Sequence, residues 1–251
     1  MKKFKKSTSG VNTIQMLLKV EDIHTYYGRS YILQGVSLEV NRGEAVALLG
    51  RNGAGKTTTL KSIMGIPSPK SGRILFEDED IAGLPPYQIA RKGIVFIPDT
   101  RRIIPNLTVH DNLKLAMLKD KERNRDQLLE MVYAYFPQLK ERLSHMGSML
   151  SGGEQQMLAI ARGLVSNPKL MLIDEPTEGL MPILVQTLTK NLKTLQENGL
   201  TMLLVEANLQ VALEIAHRVY IIEKGIIKFS GMRDQLLEDK EIQKRYLGVY
   251  V

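Results

Sequence analysis

Short apolar runs recur along the chain: LLKVEDI from residue 17, AVALLG from 45, RILF from 73, IVFIP from 94, LMLI from 170, TMLLVE from 201 and VYIIE from 219. Each predicts a strand, and the intervals between most of them carry helical patterns, so the alternation predicts a parallel sheet wrapped by helices. The interval from 108 to 166 breaks the rhythm, with no strand-like run in it. Within it Leu128, Val132, Tyr135, Leu139 and Leu143 recur at near-helical spacing, and Pro137 suits the first turn of a new helix. This predicts a helical subdomain inserted at about residues 100–165 of the α/β core. The run at 201 ends oddly: after Met202 to Val205 come Glu206, Ala207 and Asn208, a polar shoulder with a bare methyl in its middle.

Composition narrows this picture only in part. With 251 residues, 43% of them hydrophobic, the chain can bury a sizeable core. Of the net charge of +7, Lys2, Lys3, Lys5 and Lys6 supply four, so the basic balance belongs largely to residues 1–15, read as a disordered basic extension. Asn12, Thr13 and Gln15 break up what would otherwise be the apolar core of a signal peptide. No apolar run reaches the ~18 residues that span a bilayer, and the chain has no cysteine, which fits a reducing compartment.

The chemistry concentrates in three stretches. In AVALLGRNGAGKTTTL, Gly50 is followed, after four intervening residues, by Gly55, Lys56 and Thr57. Glycines let the backbone curl so that successive N–H groups, through Asn52, Gly53, Ala54 and on to Thr58, face a phosphate at the start of a helix. Lys56 can reach the β- and γ-phosphates and the Thr57 hydroxyl can join a Mg²⁺ shell. In LMLIDEP, Asp174 and Glu175 end a buried-looking strand, where a parallel sheet opens toward its ligand. Asp174 suits the Mg²⁺ shell, and Glu175 suits polarising the water that attacks the γ-phosphate. In LSGGEQQ, Ser151 and Glu154 have capping-box spacing, which a well-capped helix explains, but Gly152 and Gly153 bare the helix start as an anion site would require.

Together, GRNGAGKTT, LSGGEQQ and LMLIDEP, in that order and at these separations, resemble the Walker A, signature and Walker B motifs of the ATP-binding cassette family. The resemblance covers about residues 16 to 250. It implies a single nucleotide-binding domain of α/β class: a P-loop NTPase (RecA-like) core with a mainly parallel sheet, an N-terminal antiparallel β region and an inserted helical subdomain. More narrowly, YILQGVSLEV, KERL, DEPTEGLMP and the terminal RYLGV resemble the shorter ATPase subunit of branched-chain amino-acid importers; cassettes of urea or short-amide importers are similar.

The resemblance further implies ATP and Mg²⁺ as ligands, and a head-to-tail pair of cassettes with each ATP held between one Walker A and the other signature. By that correspondence Ser151 and Gly153 would meet the γ-phosphate of the partner's ATP, and Tyr27, with Tyr26 as the register alternative, would stack on adenine. It implies two membrane permease subunits gripped by the segment after Asp99, an extracytoplasmic binding protein met indirectly, and a peripheral position on the cytoplasmic face of the plasma (inner) membrane. A nucleic-acid-associated cassette ATPase, a rival the high pI weakly suggests, usually carries two cassettes or a long coiled-coil insertion, and this chain has neither. A third possibility is a cassette that binds ATP without turning it over; the retained Glu175 argues against it, and Ala207 keeps it open.

Three positions depart from the family pattern. Asp99 stands where most cassettes carry a Mg²⁺-linked glutamine; a carboxylate can still ligate the ion. Met181 replaces an aspartate that reaches across the dimer. Ala207 replaces the histidine that holds γ-phosphate, water and glutamate in line. The last departure predicts that the site on this chain's own Walker A is slow, unless Asn208 substitutes, and that the partner is a different cassette.

Overall fold

The computed structural model describes residues 15–117 and 125–247. The expected extension at 1–15, apart from Gln15, lies outside the described residues, as do part of the expected helical stretch and the last residues of RYLGV.

β1 (Met16–Tyr27) and β2 (Ser30–Asn41) alternate buried and exposed positions along much of their length and pair antiparallel, Tyr27 opposite Ser30. β4 (Ser71–Phe76) adds to β1 antiparallel, and the two-residue β5 (Glu79–Asp80) closes this sheet in the order β2-β1-β4-β5. Two of the seven apolar runs, at 17 and 73, therefore belong to an antiparallel sheet. β2 shows no unbroken apolar run because its apolar residues alternate with polar ones, as suits a sheet with one face on the core.

The second sheet runs β10-β9-β3-β8-β7-β6. Its strands β3 (Ala45–Leu49), β7 (Leu170–Asp174) and β8 (Met202–Glu206) are buried at every position. Both faces of these strands are covered, which is why they read as unbroken apolar runs. β6 (Ile94–Ile97), β7, β8, β3 and β9 (Arg218–Glu223) pair in parallel, whereas β10 (Ile226–Met232) turns back antiparallel on β9. Truncating a wholly buried member such as Leu204 to alanine would cost about 2–5 kcal/mol.

On one face of this sheet, α1 (Lys56–Ile63) and α2 (Pro86–Arg91) share a core with the antiparallel sheet, centred on Leu60, Ile63, Ile89 and Phe76. On the other face lie α3 (Val109–Ala116), α4 (Arg125–Tyr135), α5 (Pro137–Glu141), α6 (Gly152–Val165) and α7 (Pro182–Glu197). Val132 and Leu139 are fully buried in that second core, with Leu128, Tyr135 and Leu143 against it, and Pro137 does open a helix. Fully buried Asn112 donates to the carbonyls of Ile104, Leu107 and Thr108 and accepts from Ile104 N–H, fixing part of the segment that follows Asp99. α8 (Leu209–Ile215) and α9 (Arg233–Glu238) close a smaller cluster with β3 and β9.

Register decides where the site lies. Leu49 pairs with Glu206 and Asp174 with Val205, so β3, β7 and β8 end level with one another. Gly50, Glu175 and Ala207 each follow one of these three neighbouring carboxyl ends.

Candidate nucleotide-binding site

The loop from Gly50 to Gly55 turns β3 into α1. At Gly50 a Cβ would lie 2.4 Å from the Ile222 carbonyl oxygen, a distance no real Cβ tolerates; Gly53, at φ 79°, adopts the left-handed backbone that favours glycine. Ala54 is buried, its carbonyl accepting from Gly225 N–H at 2.8 Å, and Asn52 and Gly53 form the exposed tip. α1 begins without a side-chain cap, so the N–H groups of Lys56, Thr57 and Thr58 are the orphan donors of a helix start.

Lys56 is only 4% exposed, and its ammonium donates to the Gly50 and Arg51 carbonyls at 2.8 and 3.4 Å and pairs with Glu175 Oε1 at 2.9 Å. Thr57 Oγ1 donates to Asp174 Oδ1 at 3.0 Å. Asp174 is wholly buried and its Oδ2 has no partner. Burial pushes its carboxyl up to about 6, against the Thr57 hydrogen bond and with help from the charges of Asp99 and Glu175. Asp99 itself is exposed and accepts from Thr100 N–H at 2.8 Å. Its charge reaches Asp174.

Glu175 takes a left-handed φ of 42° while its N–H donates to the Val205 carbonyl at 2.9 Å, which ties the end of β7 to β8. Glu178 faces it: a hydrogen bond to Glu175, then that group's charge, raises the Glu178 carboxyl above its ordinary range. Nothing in the sequence singles out Glu178.

At the end of β8, Ala207 is exposed at the bend before α8. Asn208 caps that helix, its Oδ1 accepting from Gln210 and Val211 N–H at 3.0 and 3.3 Å. Its Oδ1 is thereby engaged in the helix cap. Glu206 is 2% exposed and accepts from Thr177 Oγ1 at 2.7 Å, Thr177 N–H at 3.3 Å and Asn208 N–H at 3.3 Å. In the sequence Glu206 stands only as part of a polar shoulder. The signal available was a carboxylate closing an apolar run beside a strand that also ends on carboxylates.

The remaining candidates lie elsewhere. Ser151 caps α6 in a full capping box with Glu154, and no hydrogen bond or ion pair joins 150–154 to the 50–58 loop among the described residues. Gly153 has a packing reason as well, since a Cβ there would lie 2.4 Å from Leu184 Cδ1 on α7. Tyr26 stacks on Tyr31 with ring centroids 4.4 Å apart, with Lys70 Nζ 4.6 Å from its centroid; Tyr27 is 45% exposed and takes part in no ring contact among the described residues. Met181 is 64% exposed at the start of α7.

The donor set fits a hard cation. An unpartnered buried carboxylate oxygen sits beside a hydroxyl, and no group of three or more His, Cys, Asp or Glu forms a cage by itself among the described residues. Phosphate oxygens in the loop would supply the remaining ligands.

Comparison with known proteins agrees with this geometry. A family model described as ABC transporter matches residues 33–178. The high-affinity branched-chain amino acid transport ATP-binding protein BraG of Pseudomonas aeruginosa is 42% identical over 92% of the chain and 100% of its own length. The lipopolysaccharide export system ATP-binding protein LptB of Escherichia coli K12 is 37% identical over 89% of the chain and 93% of its own. Among solved structures, a dimeric post-hydrolysis state of an ATP-binding cassette bound to ADP and Pi superposes with a TM-score of 0.77 at 25% identity, covering 86% of this chain and 99% of that one.

Proposed function

The chain belongs to the ABC transporter family, and from that premise we propose that it is the ATP-hydrolysing subunit of an importer for branched-chain or related hydrophobic amino acids. The observation that carries the cargo class is the full-length similarity to BraG; LptB is the weaker match. Similarity to a transport ATP-binding protein leaves the passage itself to separate permease subunits, with this chain peripheral on the cytoplasmic face; no helix among the described residues is long and apolar enough to cross a membrane.

The mechanism follows from the residues at the three strand ends. The N–H groups from Asn52 to Thr58 bind the phosphate chain, and Tyr27 offers a free ring to adenine. Mg²⁺, when bound, offsets the charge that grows on the β- and γ-phosphates; Thr57 and Asp174 would hold it, with Asp99 nearby. A γ-phosphate oxygen competes with Glu175 for the Lys56 ammonium, and the carboxylate so released is free to orient water and accept its proton. Ser151 and the start of α6, remote from this loop's own hydrogen bonds, serve the nucleotide of a second cassette.

With an exposed methyl at 207, nothing at that position can hold water in line, so this chain's own site is the slower of two and the partner is a different cassette. Losing one such interaction costs on the order of 10²-fold in rate. The test is ATP-dependent leucine uptake by the transporter purified from its native membrane through this chain. Leucine uptake, with a permease and a second cassette co-purifying, supports the reading; extraction of lipopolysaccharide in its place overturns the cargo. Substituting Glu175→Gln and, separately, the partner's matching glutamate reads the asymmetry. It fails if E175Q removes most of the ATPase activity and the partner's change removes little.

A further inference from the structure

Glu206 takes no part in that mechanism, yet it is among the most enclosed charged groups in the protein, 2% exposed at the end of the strand between β3 and β7. Its two oxygens are divided between two loops. Oε1 accepts from the hydroxyl and N–H of Thr177, two residues past Glu175, and Oε2 accepts from the N–H of Asn208. Thr177 is itself buried and belongs to a tight turn in which Glu178 N–H donates to the Glu175 carbonyl at 3.2 Å and Leu180 N–H to the Thr177 carbonyl at 3.3 Å.

We infer that Glu206 is a positioning residue for hydrolysis: it staples the Glu175–Thr177 turn to the bend at Ala207–Asn208 and so fixes where the Glu175 carboxylate points. The left-handed backbone of Glu175 makes this staple consequential. A non-glycine residue at φ 42° persists only when its surroundings hold it, and the contacts doing so are the Val205 carbonyl on one side and the Thr177 turn on the other. With both oxygens filled from within the chain, Glu206 is a strut rather than a ligand; a metal or water would have to displace existing donors. Since position 207 offers only a methyl to the same space, alignment of Glu175 rests on this backbone tether. The inference rests on the reading of Glu175 as the group that acts on water.

The test is steady-state ATP hydrolysis by the assembled transporter with the partner's matching glutamate replaced, so that only this chain's site turns over. Thr177→Val removes the hydroxyl and keeps the shape; Glu206→Ala removes the acceptor; Glu206→Gln keeps an oxygen for Thr177. We expect T177V and E206A each to lower kcat on the order of tenfold with KM for ATP within about twofold, because the phosphate loop is untouched. E206Q should recover most of the rate, and the T177V/E206A double variant should be no worse than either single change. If T177V leaves kcat unchanged while Glu175→Gln abolishes it, the strut is wrong and the catalytic reading stands. Losses that multiply in the double variant, or a rise in KM alone, overturn it too. An active E175Q removes the reading beneath it. Should E206A fail to fold, T177V and E206Q decide.

Discussion

Asp174 and Glu206 end neighbouring strands, both are buried, and burial raises the carboxyl of each. They differ in what meets their oxygens. Asp174 has one oxygen on the Thr57 hydroxyl and one with no partner, whereas Glu206 has both filled by Thr177 and Asn208. An unpaired buried lone pair costs free energy that a bound cation recovers, so the structure keeps one at Asp174 only if something outside the chain completes it. Glu206 is complete without help. Burial of an acid therefore marks neither a ligand nor a strut; the unanswered oxygen separates the two.

The widest separation between them should appear in activity. Asp174→Asn keeps the shape and the Thr57 contact but removes the charge, and should lower ATP hydrolysis on the order of 10²–10³-fold. The same measurement on E206Q should show a loss of only a few-fold, since an acceptor for Thr177 survives. Equal losses would mean that both carboxylates meet the nucleotide or its ion, and the contrast would collapse.

A smaller effect sharpens the other half of the comparison. If Glu206 holds Glu175 by backbone alone, a side chain supplied beside it should add to what the strut provides. Ala207→His places an imidazole on the exposed shoulder of β8 and should raise the turnover of this chain's own site by about tenfold, read with the partner's glutamate replaced. An unchanged rate would show that the strut already supplies the alignment.

Much of this arrangement was legible in the sequence. β3, β7 and β8 announce themselves as apolar runs because both their faces are buried, and Lys56, Thr57, Asp174 and Glu175 follow two of those runs. β2 and β10 carry no such run: in one, polar residues interrupt the apolar positions, and in the other half-buried and exposed residues alternate through Lys228 and Ser230. The role of Glu206 was illegible for a different reason. Its hydrogen bonds reach Thr177, far away in sequence, and only the level ending of β7 and β8 brings the pair together. Likewise the spacing of Tyr26 and Tyr27 left two candidates, and the partner that occupies Tyr26, Tyr31 across the hairpin, depends on strand register.

The smallest expected effect concerns stability, where the two acids should again diverge. Folding raises the Asp174 carboxyl from 3.8 to about 6, so the folded chain holds that proton more tightly than the unfolded one. Its favourable contribution is then complete below pH ~4 and is lost as pH rises through about 6, because above that value the folded state must carry a buried charge. Glu206 shifts in the same direction, but three hydrogen bonds to its oxygens oppose the burial that raises it. In EDTA without nucleotide, the thermal midpoint of the wild-type chain should fall as pH rises from about 4 to about 7. D174N should flatten that decline by a few degrees and melt above wild type at pH 8; E206Q should flatten it less, since the hydrogen bonds to Glu206 oppose its shift, and should melt lower throughout because its amide forfeits the hydrogen bond to Asn208. Adding MgATP at pH 8 should then reverse the order, raising the wild-type midpoint by mass action and leaving D174N nearly where it was. A D174N chain stabilised as much by MgATP as the wild type would show that the free oxygen of Asp174 is not where the ion binds.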